Sequence, residues 1–215
     1  MSTYELLILS VLMHFPLHAY MIAKIGSPWE KISRGTLSTI LTKMVRSGFI
    51  QEADPADVPF SSDRSSKTYA ITAEGRQRFF QLMMDTHSNS NQYLRIFHIK
   101  SAHLEFLDLE EQIRLVKHFI DYCQTVIREL KQQIYQFETN PEPKGKQPSP
   151  FFLSTVRGQM EVQLEQMNLE LAWAEKLCTI IQETGRNRNG KPAEQVAKNN
   201  SKVNRVKAKM ESNGG

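Results

Sequence analysis

Residues 33–50 read SRGTLSTILTKMVRSGFI. Ser33 stands just before the first apolar-periodic residue, and serine is a residue type that caps helix N-termini. Leu37, Ile40, Leu41, Met44 and Val45 then recur at spacings of three and four, which is one face of a helix. Arg34, Thr36, Ser38, Thr39, Thr42, Lys43 and Arg46 cover much of the remainder. Gly48 is a helix stop, and Phe49-Ile50-Gln51-Glu52-Ala53 reads as a strand. The pattern predicts a helix from about 34 to 47, buried on one side and clothed in hydroxyls and cations on the other. From Lys31 to Gln51 there are four cations (Lys31, Arg34, Lys43 and Arg46) and no acid.

The flanks give this helix its place in an order. Upstream, residues 3–14 form a first helix that Ser2 or Thr3 can cap, and Phe15-Pro16 breaks it. Leu17 to Ile25 (LHAYMIAKI) is a second short helix, ended by Gly26-Ser27-Pro28. Trp29 and Ile32 pack beneath the connection. Downstream, Asp54 to Ser66 (DPADVPFSSDRSS) is polar and rich in turn formers. Lys67-Thr68-Tyr69-Ala70-Ile71 is a second strand, so the two make a hairpin with a long tip. Thr72 caps a further helix from about 73 to 85. Three helices and a two-stranded hairpin is the order of a winged helix-turn-helix, whose third helix is the one placed in a major groove.

The second half reads differently. His87 to Gln92 (HSNSNQ) separates it from the first, and residues 93–107 are aromatic and apolar and read as one helix. Two long heptad seams follow. The first runs Leu109, Ile113, Val116, Ile120, Cys123, Ile127, Leu130, Ile134 and Phe137. The second runs Leu153, Val156, Met160, Leu164, Met167, Leu171, Ala174, Cys178 and Ile181. Thr139 to Pro150 (TNPEPKGKQPSP) joins them and is too proline-rich to be helical throughout. The last helix also carries Val162, Leu169, Trp173, Leu177 and Ile180 off its seam, a second apolar face that suggests a partner. Residues 184–215 hold almost no large apolar side chains and read as a disordered basic tail. The fold expected is mostly α: a winged helix-turn-helix domain over 1–86, a coiled-coil-like helical dimerisation domain over 93–183, and the tail over 184–215.

Composition narrows the function. The chain has 215 residues, 40% hydrophobic, enough for a real core. Its net charge of +4 is uneven, because residues 186–215 alone hold 8 Lys/Arg against 2 Asp/Glu. That tail either keeps the chain soluble or touches nucleic acid without sequence preference. Cys123 and Cys178 have no close pairing and lie on helical seams, so buried thiols in a reducing compartment are expected. Leu6 to Phe15 lacks a basic flank and has Glu5 before it, which makes it a core helix and not a signal peptide. No apolar run is long enough to span a bilayer, and a cytoplasmic location is expected. There is no P-loop, no GxGxxG and no nucleophile elbow. The histidines show no metal spacing; His98 and His103 are five apart and miss a shared helical face. Neither catalysis nor a cofactor or metal is expected.

An acid-free face with short donors suits a phosphate-lined groove, where cations release counterions and hydroxyls reach phosphates or base edges. The candidates are Arg34, Thr36, Ser38, Thr39, Thr42, Lys43 and Arg46, with Arg64 and Lys67 from the hairpin. A solvated face with a few cations is also common, and some winged helices bind protein, so an adaptor without DNA is the alternative.

The ordered motifs of the first half resemble the PadR family of bacterial transcriptional regulators. Pro16-Leu17-His18-Ala19-Tyr20 matches a Pro-Leu-x-Gly-Tyr segment. Trp29 precedes Gly35-Thr36-Leu37-Ser38-Thr39-Ile40-Leu41, where the family shows Gly-Thr-Leu-Tyr-Pro-Ala-Leu. Arg46-Ser47-Gly48-Phe49-Ile50 closes that helix, and Tyr69-Ala70-Ile71-Thr72-Ala73-Glu74-Gly75 ends the wing. The match covers roughly residues 5–85. Ala19 and Ser38-Thr39 depart from the pattern, so the base-reading residues are peculiar to this chain. The resemblance adds Tyr20 and Gly35 to the DNA-binding set. It also implies a repressor that is a homodimer, built by the last helices with help from the first; the seam residues Val156, Met160, Leu164, Met167, Leu171 and Ala174 are the candidates for it. It implies a small aromatic or hydrophobic effector at the junction of the halves, for which Tyr93, Phe97, His98 and His103 are the candidates. The other reading of those four is that they glue the two halves together.

Overall fold

The structure, a computed structural model, describes residues 3–59, 67–87, 92–139 and 149–189, with side chains through 185. Helix α1 (Thr3–Leu12) has no solvent face to speak of, since every residue from Leu6 to Leu12 is buried. It can be apolar all round because α2 (Ala19–Gly26), α3 (Arg34–Arg46), α4 (Ala73–Met84), α5 (Tyr93–Ser101) and strand β3 (Thr68–Ile71) all pack on it.

The second helix starts two residues later than its apolar pattern predicts. Leu17 and His18 form a short strand, β1, which pairs antiparallel with β3 as Leu17↔Tyr69 and His18↔Thr68. The buried His18 Nδ1 and Thr68 Oγ1 lie 2.9 Å apart. With β2 (Ile50–Ala53) on the other side of β3, the sheet has three strands in the order β1-β3-β2, not two. The pairing partner is fifty residues away, so no local signal at Leu17 could announce it.

Local chemistry sets the ends of α3. Ser33 Oγ accepts from the Thr36 backbone N–H at 3.1 Å. At the other end Gly48 takes a left-handed φ of 73°. Gly48 N–H bonds to Val45 O and Phe49 N–H to Met44 O, each at 3.0 Å. This is a Schellman close, and it aims the chain directly into β2. The wing is then locked to α4. Thr72 Oγ1 caps α4 by accepting from Gly75 N–H at 3.0 Å and donates to Gly48 O at 2.6 Å. Gly75 sits so tightly against β2 that a Cβ there would stand 2.0 Å from Phe49 O.

Residues 93–107 are not one helix. α5 ends at Ser101, and Leu104–Phe106 is a separate 3-10 turn. The break lets Phe106 meet Phe79 edge-on at 5.8 Å. α6 (Leu109–Thr139) and α7 (Pro150–Asn189) form an antiparallel pair. Arg157 of α7 bridges to Glu138 at the end of α6 at 2.9 Å, and Gly185 near the end of α7 packs on Leu109 at the start of α6. Along α6 the predicted seam buries Val116, Cys123, Ile127 and Leu130, but Leu115 and Phe119 are buried too. The extra width faces α5, where Phe97 stacks on Phe119 with centroids 3.7 Å apart. Helix α7 continues to Asn189, six residues into the stretch that composition reads as disordered. The rest of that stretch, from 190 on, lies outside the described residues, as does most of the separator at 87–92. Among the described residues no helix is long and apolar enough to cross a membrane. Cys123 and Cys178 are buried free thiols, and burial pushes the Cys123 pKa up to about 12.

Candidate nucleic-acid interface

Helix α3 buries Leu37, Leu41 and Met44, with Ile40 half-buried. These four pin it against the core and turn the rest outward. Gly35, Thr39, Thr42 and Arg46 follow at spacings of four, three and four, one line along the exposed side. Arg34, Thr36, Ser38 and Lys43 flank that line and are exposed as well. Among the described residues Lys31, Arg34, Lys43 and Arg46 have no ion pair, so their charge is open to solvent. Nothing stands within 4 Å of a Cβ built on Gly35. Its role is therefore open space on the surface, not a tight fit inside the protein.

The hydroxyls are less free than the sequence suggests. Ser33 and Thr36 share a hydrogen bond of 2.8 Å. Thr39 Oγ1 donates to Gly35 O at 3.1 Å, and Thr42 Oγ1 to Ser38 O at 2.9 Å. Ser38 Oγ makes no such bond among the described residues. Val45 overturns an expectation outright. It is not in the core but 38% exposed.

The remaining candidates divide. Tyr20, at the start of α2, is half-buried and stacks on His18 with centroids 5.9 Å apart, at one end of the sheet. Lys67, just before β3, is exposed but paired with Glu52 of β2, which raises its pKa and offsets its charge. Arg64 lies outside the described residues.

The four effector candidates do not line one cavity. Tyr93 is buried, with its hydroxyl 2.6 Å from His118 Nδ1, and burial raises its pKa. Phe97 is wholly buried between Phe119 and Trp173. His103 is buried, 3.2 Å from His14 Nε2; burial first, and His14 second, bring its pKa down to about 4. His103 reaches across to the first half, through His14 and Trp29, while the ring contacts of Tyr93 and Phe97 are to α6 and α7. His98 faces a cleft of about 430 Å³, lined with it by Trp29, Ser101, Ala102, Leu169, Glu170 and Trp173. His98 Nε2 meets Glu170 there at 2.9 Å. Trp29, Glu170 and Trp173 carried no sequence signal for this cleft, because they come from two elements 140 residues apart. Among the described residues no three His, Cys, Asp or Glu side chains are placed to hold a metal.

The expected dimer seam lies along α6 in the single chain. Met167 and Ala174 are buried and Val156, Met160, Leu164 and Leu171 half-buried within the single chain, on the side of α7 that meets α6. The large apolar residues left exposed on α7 are Val162, Leu169, Trp173 and Ile180, spaced seven, four and seven, with Phe151, Phe152 and Leu153 near the start of the helix.

No protein-family model matches the chain, and no curated protein matches it. Solved structures do. Bacillus subtilis PadR in complex with operator DNA shares 17% identity, over 84% of this chain and 98% of that one, with a TM-score of 0.37. The same protein in complex with p-coumaric acid shares 18%, over 84% and 99%, with a TM-score of 0.35. A PadR-like transcriptional regulator from Bacillus cereus shares 16%, over 84% and 99%, with a TM-score of 0.32.

Proposed function

We propose that this chain is a sequence-specific DNA-binding transcriptional regulator of the PadR type, a repressor that acts as a homodimer in the cytoplasm. The observation that carries the reading is the exposed side of α3 and the turn before it, where Arg34, Lys43 and Arg46 on the helix and Lys31 just upstream stand without an ion pair among the described residues and no acid interrupts them. A phosphate-lined groove is the partner such a face fits. The ordered motifs from Pro16 to Gly75 support it independently of charge. Two copies would place two such helices on successive half-sites of a pseudo-palindrome. The exposed stripe Val162, Leu169, Trp173 and Ile180 is the surface available for pairing them, since an apolar stripe of that length is costly in water. The cleft between Trp29 and Trp173 is a fitting place for a small aromatic effector. Trp29 sits in the segment that leads to Ser33, the cap of α3, so a ligand there bears on how α3 is presented. It acts on DNA affinity only through a preference for one arrangement over the other.

The test is fluorescence anisotropy with duplex from upstream of the chain's own gene and with scrambled duplex, across a salt series. Tight, sequence-preferring binding that weakens with salt supports the reading. Weak binding that is equal on both duplexes at every salt concentration favours the adaptor alternative, in which the winged helix meets protein.

A further inference from the structure

The threonines of α3 do not offer what a threonine on a groove-facing helix is expected to offer. A hydroxyl has a single hydrogen to give. Thr39 gives it to Gly35 O and Thr42 to Ser38 O, both four residues back on their own helix. What an outside partner then meets is an oxygen lone pair and the Cγ2 methyl group. Val45 lies three residues beyond Thr42, its neighbour on the helix surface. It is the one large aliphatic side chain of α3 left exposed among the described residues, at 38%. Thr39, Thr42 and Val45 therefore form a short methyl-bearing row, with Lys43 and Arg46 beside it.

In the major groove of B-DNA the apolar group on a base edge is the thymine C5-methyl. Resting on the reading of α3 as the helix that enters the groove, we infer that Thr39, Thr42 and Val45 recognise thymine methyl groups. The operator half-site then carries A·T pairs opposite this row, and the flanking cations hold the phosphates. Thr42 acts by its methyl group and not by its hydroxyl.

The experiment selects binding duplexes from a random pool with the full-length chain. The best duplex is then remade with deoxyuridine for thymine, which removes only the C5-methyl. The expected result is a loss of roughly fourfold in affinity for each methyl contact, the worth of burying one such group. Thr42→Val keeps the branched shape and removes the hydroxyl, and should lose less affinity for the thymine duplex than Thr42→Ser does. Thr42→Ser keeps the hydroxyl and removes the methyl. It should lose roughly fourfold on the thymine duplex and nothing further on the deoxyuridine duplex, the coupling that defines a direct contact. Equal affinity for thymine and deoxyuridine duplexes would overturn the inference while leaving DNA reading intact, as would a normal Thr42→Ser beside a defective Thr42→Val. A pool from which no sequence is enriched would bring down the proposed function, and this inference with it.

Discussion

Lys100 has no exposed surface. Its Nζ donates to Asp85 O at 2.6 Å, so a cation caps the end of α4 from inside α5, where a helix dipole favours positive charge. Burial nevertheless dominates and brings its pKa down from 10.5 to about 8, against the opposing pull of Asp85. In the unfolded chain the amine returns to about 10.5. Between those values the folded state holds fewer protons than the unfolded one, so stability must rise with pH across that window. The contribution is complete above 10.5 and is lost as pH falls through about 8. At about 1.36 kcal/mol per pH unit the gap amounts to about 3 kcal/mol. The assay is urea unfolding at pH 7 and pH 10.5 for the original chain and for Lys100→Met, which keeps an unbranched stem and carries no charge. The original chain should gain about 3 kcal/mol relative to the variant between the two pH values. Cys123 and Tyr93 are present in both proteins and cancel in the difference. Identical pH dependence in the two would refute the claim that this amine is held charged against the cost of burial.

Three further outcomes are expected. Lys43→Ala and Arg46→Ala should each weaken duplex binding and lower the log–log salt slope by about 0.9, with far-UV circular dichroism unchanged; slopes equal to the original would remove these side chains from the phosphate contacts. Gly75→Ala should destabilise the winged helix by about 3 kcal/mol or more, the upper range for overpacking, because the new Cβ meets the backbone oxygen of Phe49 at 2.0 Å and neither partner can rotate away; a melting temperature within a degree of the original would contradict the close approach. Leu169→Glu, at a site 72% exposed in the single chain, should leave the fold intact and give monomers in sedimentation equilibrium; a dimer that survives it moves the interface off this stripe.

The sequence by itself determined what local chemistry controls. Ser33, Thr72 and Gly48 mark helix ends by hydrogen bonds and a left-handed turn within a few residues, and α3 and α4 start where those residues say. The three-and-four spacing of Leu37, Leu41 and Met44 fixed which side of α3 is buried, and so which side carries the cations. Other features depended on what the chain folds against. Leu17 and His18 look helical until β3 arrives to pair with them. Val45 fits an apolar face by spacing, yet packing leaves it 38% exposed. The α7 pattern offers two apolar faces of similar strength, and periodicity cannot rank them. Contact with α6 assigned Met167 and Ala174 to the interior and left Leu169 and Trp173 outside. The cleft of Trp29, His98 and Trp173 and the burial of Lys100 likewise exist only once distant elements are brought together. A side chain's spacing gives its direction from the helix axis, and only the packed neighbours decide whether that direction leads to core or to solvent.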